Sequence, residues 1–291
     1  MLKPFSHAKF CVSAMAVMLL LSCRGIANSH SVEFTPVSRE VIETRLRQYS
    51  GGDKKREESL KKMFAEEGCD EQHLSEQRVK GAKLPNVICV LPGSSEKVII
   101  VGAHFDHTPA GEGVVDNWSG ASLLPSLYAA TKGVPRKHTY IFIAFTDEER
   151  GEVGSRFYVR QMTQEQVSVT DAMVNLDTLG LAPPEVWASH SDKRLTSALV
   201  FIAKQMNFPI SGVNVEQIGS SDGEQFAERR IPRITIHSLT QETYNLRILH
   251  TSKDQFSAIR LDDYFGTYRL LGAYLAFLDG VLNTPPASVQ K

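Results

Sequence analysis

Val98-Ile99-Ile100-Val101-Gly102-Ala103 is an unbroken apolar run that leads directly into His104-Phe105-Asp106-His107. The pattern occurs twice more. Tyr140-Ile141-Phe142-Ile143-Ala144-Phe145 leads into Thr146-Asp147-Glu148-Glu149, and Ala172-Met173-Val174-Asn175-Leu176 leads into Asp177. Short apolar runs rich in β-branched and aromatic residues, bounded by polar clusters, read as strands buried on both faces. Open α/β sheets build their sites at the carboxyl ends of such strands. Imidazole and carboxylates delivered to one sheet edge are the makings of a catalytic metal centre.

Working outward, helices are expected between the strands. Two, at 38–50 and 53–67, break at Gly51-Gly52, with Asp53 as N-cap and Gly68 as stop. A hairpin of 72–80 and 86–91 precedes the strand at 97–103. A Gly-rich loop, 108–116, opens a helix over 117–131. Beyond the strand at 139–145 come a helix at 153–163, the strand at 172–177 and a shorter one at 185–189. A helix at 193–206, a strand at 213–218, a helix at 222–229, a strand at 233–237 and a last helix at 263–281 complete the chain. The expected fold is a three-layer α/β/α domain on a mixed, mostly parallel central sheet, spanning 32–282. The segment 283–291 reads as a mobile tail.

Composition narrows the function. The chain has 291 residues, 42% of them hydrophobic, which suits one medium domain. Lys+Arg 32 against Asp+Glu 33 gives a formal charge of −1, and no long basic stripe argues for a nucleic acid partner. Lys3 and Lys9 precede an apolar run from Phe10 to Leu21, the layout of a secretory signal over 1–27. Leu20-Leu21-Ser22-Cys23 resembles a bacterial lipobox with Cys23 as the lipid-bearing residue. The rival is ordinary cleavage after Gly25-Ile26-Ala27. Either way the mature chain is read as exported, to the bacterial periplasm, as a lipoprotein anchored to the outer membrane, or secreted, with contact to membrane only through that anchor. Of the remaining cysteines, Cys69 and Cys89 fall roughly 25 Å apart along the expected hairpin. That is beyond disulfide reach, so two buried thiols are expected.

Each motif also has a plainer reading. His104-x-Asp106 is, taken alone, a surface pair as readily as a ligand pair with its orienting carboxylate. Asp116-Asn117 is an ordinary N-cap or a bridging carboxylate. Glu148-Glu149 is an acidic turn, or a base beside a ligand, since neighbouring side chains diverge. Asp177 is a strand-end turn residue, and His250 a surface histidine. Gly219-Ser220-Ser221-Asp222-Gly223 matches the G-x-S-x-G pattern of serine hydrolases, with Glu242 or Asp254 and His250 as partners for Ser221. That reading lacks an oxyanion-hole loop and leaves His104, Asp116, Glu149 and Asp177 unexplained.

Together the motifs resemble one family. The ordered set Gly102-Ala103-His104-Phe105-Asp106, Asp116-Asn117-x-Ser119-Gly120, Glu148-Glu149-x-Gly151, Asn175-Leu176-Asp177 and His250-Thr251-x-x-Asp254 is similar to the M28 zinc aminopeptidases. The resemblance implies two zinc ions, with Asp116 bridging, His104 and Asp177 on one, and Glu149 and His250 on the other. It implies Glu148 as general base, Asp106 as orienter of His104, and a cis peptide after Asp116. The implied activity is removal of N-terminal residues from peptides by zinc-activated water. Gly223 replaces a histidine common in the family, and His107 stands where many members have serine. Phe226, Tyr244 and Leu249 are candidates for the pocket that takes the first side chain. The runner-up is a glutaminyl-cyclase-like acyltransferase, which uses one zinc and typically carries Asp-Ser in place of Asp116-Asn117. A catalytically dead relative is a third reading, opposed by retention of all five ligands and Glu148.

Overall fold

The computed structural model describes residues 33–282. The segment 1–27 read as a leader, with Cys23, and the segment 283–291 read as a tail lie outside the described residues. Eight strands form one sheet in the order β1-β2-β4-β3-β5-β8-β6-β7. They are β1 (Leu74–Gln77), β2 (Asn86–Leu91), β3 (Val98–His104), β4 (Thr139–Phe145), β5 (Thr170–Leu176), β6 (Glu185–Val186), β7 (Ser211–Gly212) and β8 (Arg233–His237). β3, β4, β5 and β8 run parallel in the centre. β1 and β2 add an antiparallel margin, and β6 pairs antiparallel to β8. The expected mixed α/β/α architecture is what forms.

Alternation along the central strands explains the layers. Ile99, Val101 and Ala103 of β3 join Tyr140, Phe142 and Ala144 of β4 and Ala172, Val174 and Leu176 of β5 in one core. Ile100, Ile143, Phe145 and Met173, one residue out of phase, enter a second core. Successive strand residues point to opposite faces, so an all-apolar strand demands cover on both. The first face is covered by α1 (Arg39–Leu46), α2 (Gly52–Glu66), α4 (Leu124–Lys132), α7 (Lys193–Gln205) and α10 (Leu261–Val281). The second is covered by α5 (Val153–Gln161), α6 (Gln164–Val169) and α8 (Gly223–Ala227). A short turn of helix, α3 (Ser119–Ala121), and α9 (Gln241–Asn245) complete the set.

Several expectations are corrected. The helix placed at 117–131 is divided: Asp116 and Asn117 have non-helical backbone, and regular helix resumes at α3 and then α4. No strand forms at 213–218; the two-residue β7 lies just before it, at Ser211–Gly212. Asp53 does not cap α2; Gly51 holds that position, in the left-handed region. Cys69 and Cys89 are joined in a disulfide rather than left as thiols, with Cα atoms 6.4 Å apart. The register explains this. Cys89 faces Leu74, not the region of Gln77. A turn in which Leu74 N donates to Asp70 O at 2.8 Å brings Cys69 back beside it.

Candidate active site

β3, β4 and β5 end at the same sheet edge and deliver their polar residues there. His104 closes β3 and is 1% exposed. Its Nε2 has carboxylate oxygens of Asp116, Asp177 and Glu148 at 3.3, 3.7 and 3.8 Å. None is a hydrogen bond, and Nε2 is buried without a partner. Beyond β4, Asp147 and Glu152 adopt left-handed backbone (φ 55° and 49°), turning the chain so that Glu148 and Glu149 face the edge. Glu149 Oε2 lies 3.0 Å from His250 Nε2, and its Oε1 is buried without a partner. Asp116 stands between the two imidazoles, one oxygen 3.3 Å from His104 Nε2 and the other 3.1 Å from His250 Nε2.

Two three-residue groups result, His104 with Glu148 and Asp177, and Asp116 with Glu149 and His250. Glu148 thus lies within the His104 group. Asp106 differs from expectation. Its carboxylate is 3.6 Å from His104 Nδ1, while its backbone oxygen is nearer at 3.2 Å. The carboxylate instead accepts from Glu148 N at 3.0 Å and Glu149 N at 3.1 Å, fixing the acidic turn.

Asn117 anchors the middle of the site. The Asp116–Asn117 peptide is cis. Asn117 Nδ2 donates to Leu176 O at 2.8 Å, and its Oδ1 accepts from Gly120 N and Thr178 N at 3.0 and 3.2 Å. A Cβ at Gly120 would lie 2.6 Å from that Oδ1 and 2.7 Å from Leu176 O, so no larger residue fits without displacing them. Asp254 holds the His250 loop against this segment, accepting from Val115 N at 2.7 Å and Asp116 N at 3.1 Å.

The charge of the site suits a cation. Asp106, Asp116, Glu148, Glu149, Asp177 and Asp222 crowd around two imidazoles. Burial, together with Asp222, Asp177 and Asp116, pushes Glu148 well above the usual carboxyl range, against the pull of His104. Burial disfavours a charged His104, but Glu148, Asp106, Asp116 and Asp177 outweigh it and raise the imidazole well above its ordinary value. Asp116 and Glu149 raise His250 to about 10. The carboxylates favour protons on groups that would bind metal in neutral or anionic form, and a dication would displace them. The orphaned His104 Nε2 and Glu149 Oε1 are what an oxygen- and nitrogen-liganded divalent ion would satisfy.

The peptidase family M28 model matches residues 86–273, a span that takes in all six residues of the two groups. The chain belongs to peptidase family M28. It is 33% identical over 104 residues to aminopeptidase YwaD of Bacillus subtilis, a match covering 36% of this chain but only 22% of that relative. Among solved structures it is similar to BSAP, a zinc aminopeptidase from Bacillus subtilis, with a TM-score of 0.60 and 25% identity over 66% of this chain and 49% of that one. An Acidobacteriales bacterium glutaminyl cyclase shares the fold, with a TM-score of 0.67 and 18% identity over 86% of this chain and 96% of that one.

Around this M28 site lies a cleft of about 260 Å³, walled by Trp187, Val215, Ile218, Leu239 and Leu249. Leu249 is one of the wall residues. Phe226 is not: it is fully buried, packed against Phe145 and Tyr158 in the second core. Tyr244, 42% exposed, lines a neighbouring hollow instead. Sequence reasoning missed Trp187, Val215, Ile218 and Leu239, which carry no local motif. It also missed a role for Asp222, whose carboxyl burial pushes up to about 7. Ser221 has no hydrogen bond to an imidazole among the described residues. It donates to Asp177 at 2.5 Å and accepts from Asn175 Nδ2 at 2.6 Å, while Asp254 serves backbone amides. His107 faces Asp53 at 2.7 Å, away from the two groups.

Proposed function

We propose that this M28 chain is an exported, zinc-dependent aminopeptidase that removes N-terminal residues from peptides, with two ions per chain. The observation that carries the reading is Asp116, whose two oxygens face imidazoles of separate ligand groups. Asp116 would be shared, His104 and Asp177 would hold one ion, and Glu149 and His250 the other. Zinc supplies a Lewis acid that polarises the scissile carbonyl and makes water a stronger acid. Glu148, kept basic by burial among other acids, takes the proton of the attacking water and passes it to the departing amine. Asp106 holds Glu148 in place through the backbone amide. The acidic rim favours a free ammonium group. Burial of the first side chain against Leu249, Ile218 and Trp187 would contribute roughly 1.5–3 kcal/mol, which favours large apolar N-terminal residues. The Cys69–Cys89 disulfide supports export, since such bonds persist in oxidising compartments.

A peptide panel with free and acetylated N-termini, assayed with zinc and after exhaustive chelation, tests the reading. Release of the first residue from free peptides only, lost on chelation, is expected. Equal turnover of acetylated peptides refutes the aminopeptidase assignment. Cyclisation of N-terminal glutamine without hydrolysis selects the glutaminyl-cyclase-like activity, although Asn117 follows Asp116 where that group typically has serine. Full activity without metal refutes the zinc chemistry altogether.

A further inference from the structure

A second hollow, of about 650 Å³, adjoins the catalytic cleft and shares Ile218, Leu239, Leu249 and His250 with it. The two differ in charge. The charged side chains of the cleft, His250 apart, are acidic: Asp116, Glu148, Glu149, Glu152 and Asp177. The hollow has no acid in its lining and one permanent cation, Arg247. Arg247 and His250 both have left-handed backbone, φ 49° and 54°, and the chain between them turns back so that both border the hollow. The nearby Lys253 is committed elsewhere, donating to Leu246 O at 2.8 Å. The guanidinium of Arg247 forms no ion pair among the described residues.

We propose that this hollow is the subsite for the leaving portion of a short peptide, and that Arg247 binds its free C-terminal carboxylate. The assignment rests on the aminopeptidase reading. An acidic end and a cationic end on either side of His250 complement a zwitterionic di- or tripeptide, whose ammonium and carboxylate sit at opposite ends. A planar guanidinium can meet a carboxylate with two parallel hydrogen bonds. Tyr244 and Ile248 supply apolar contact for the second side chain. Arg247 lies at an exposed position, so the interaction is screened by salt. The preferred substrates are therefore short peptides with a free carboxyl end, rather than long chains or C-terminal amides.

The test compares Leu-Leu, its C-terminal amide and leucine p-nitroanilide as substrates of the full zinc-loaded chain and of its Arg247→Ala and Arg247→Lys variants. The wild type should favour the free acid over the amide by about tenfold in kcat/KM, mostly through KM, and less so in 0.5 M salt. Arg247→Ala should bring that ratio near one, and Arg247→Lys should keep part of it. A wild-type ratio near one, or a ratio unchanged in Arg247→Ala, overturns the assignment. Anilide turnover by the wild type reports separately on the aminopeptidase reading. If no substrate is cleaved, calorimetric binding of Leu-Leu against its amide decides. Tighter binding of the acid that Arg247→Ala abolishes supports the subsite, and equal binding refutes it.

Discussion

Glu148 and Glu149 are neighbours with opposite surroundings: Glu148 lies toward His104, Glu149 against His250. Glu149→Ala should lower the metal content of one site, while Glu148→Gln should keep both ions and reduce kcat about a hundredfold or more. Metal analysis beside steady-state kinetics checks this, and equal metal loss in both variants would reverse the assignment of base and ligand. A second residue sets a pH dependence. Burial lowers His237 to about 4, below its ordinary 6.5. Its ring accepts from Leu239 N at 3.0 Å and faces Val213 O at 3.1 Å. The fold thus favours the neutral imidazole. That stabilisation is complete above pH 6.5 and is lost as pH falls from there toward 4. Melting temperatures from pH 4 to 8 should decline more steeply on the acid side for the wild type than for His237→Asn. The residues legible in sequence were those that follow apolar runs, His104, Glu148, Glu149 and Asp177, because strand ends announce themselves. Phe226 was misplaced because an aromatic near a motif reads the same whether it faces a cleft or a core.

At the scale of elements, α2 is tied to the active-site loops by one side chain. Arg56 is fully buried and donates to Tyr49 O at 3.0 Å, Phe105 O and Gly113 O at 3.1 Å, and Glu112 O. It also lies over the Trp118 ring, 5.5 Å from its centre. Burial lowers its pKa to about 10. Arg56→Ala would take the donor from four carbonyls, of which those of Phe105, beside Asp106, and Gly113, in the loop before Asp116, make buried bonds, so a loss of roughly 3 kcal/mol is expected. Chemical denaturation measures it, and a change under 1 kcal/mol would show that the loops hold themselves. Nothing in sequence marked Arg56, one basic residue in a helix full of Lys, Arg and Glu. The central strands were legible because both faces are apolar. The strand expected at 213–218 is not formed: after Val213 N donates to Val186 O at 2.9 Å the chain turns, Ile218 N donating to Val215 O at 2.8 Å, and Val215 and Ile218 supply cleft wall and core packing. Alternation records which side is apolar, not whether a neighbouring strand is there to pair.

Across the whole molecule, the fold class was readable because the longer helices carry apolar residues to bury, such as Leu195, Leu199 and Ile202 of α7 and Leu271, Leu275 and Leu278 of α10. The disulfide was not, because joining Cys69 to Cys89 depends on a turn and a register that pattern alone leaves open. A further whole-molecule property follows from where the two ligand groups are rooted. The His104 group sits on strand ends beneath the sheet edge, its imidazole sealed from solvent. The Asp116 group depends on His250, whose side chain is 52% exposed on a loop. Opening that loop costs little core, whereas freeing His104 requires disturbing β3 itself. With two ions bound as proposed, their residence times should be unequal. Time-resolved chelation should release metal in two phases, the faster one slowed by restraining the 249–254 loop and suppressed in Glu149→Ala. A single phase would show both ions leaving together. In a metal-poor environment the protein would then pass through a half-loaded form, and the ion recaptured at the exposed position would be set by what the surroundings offer.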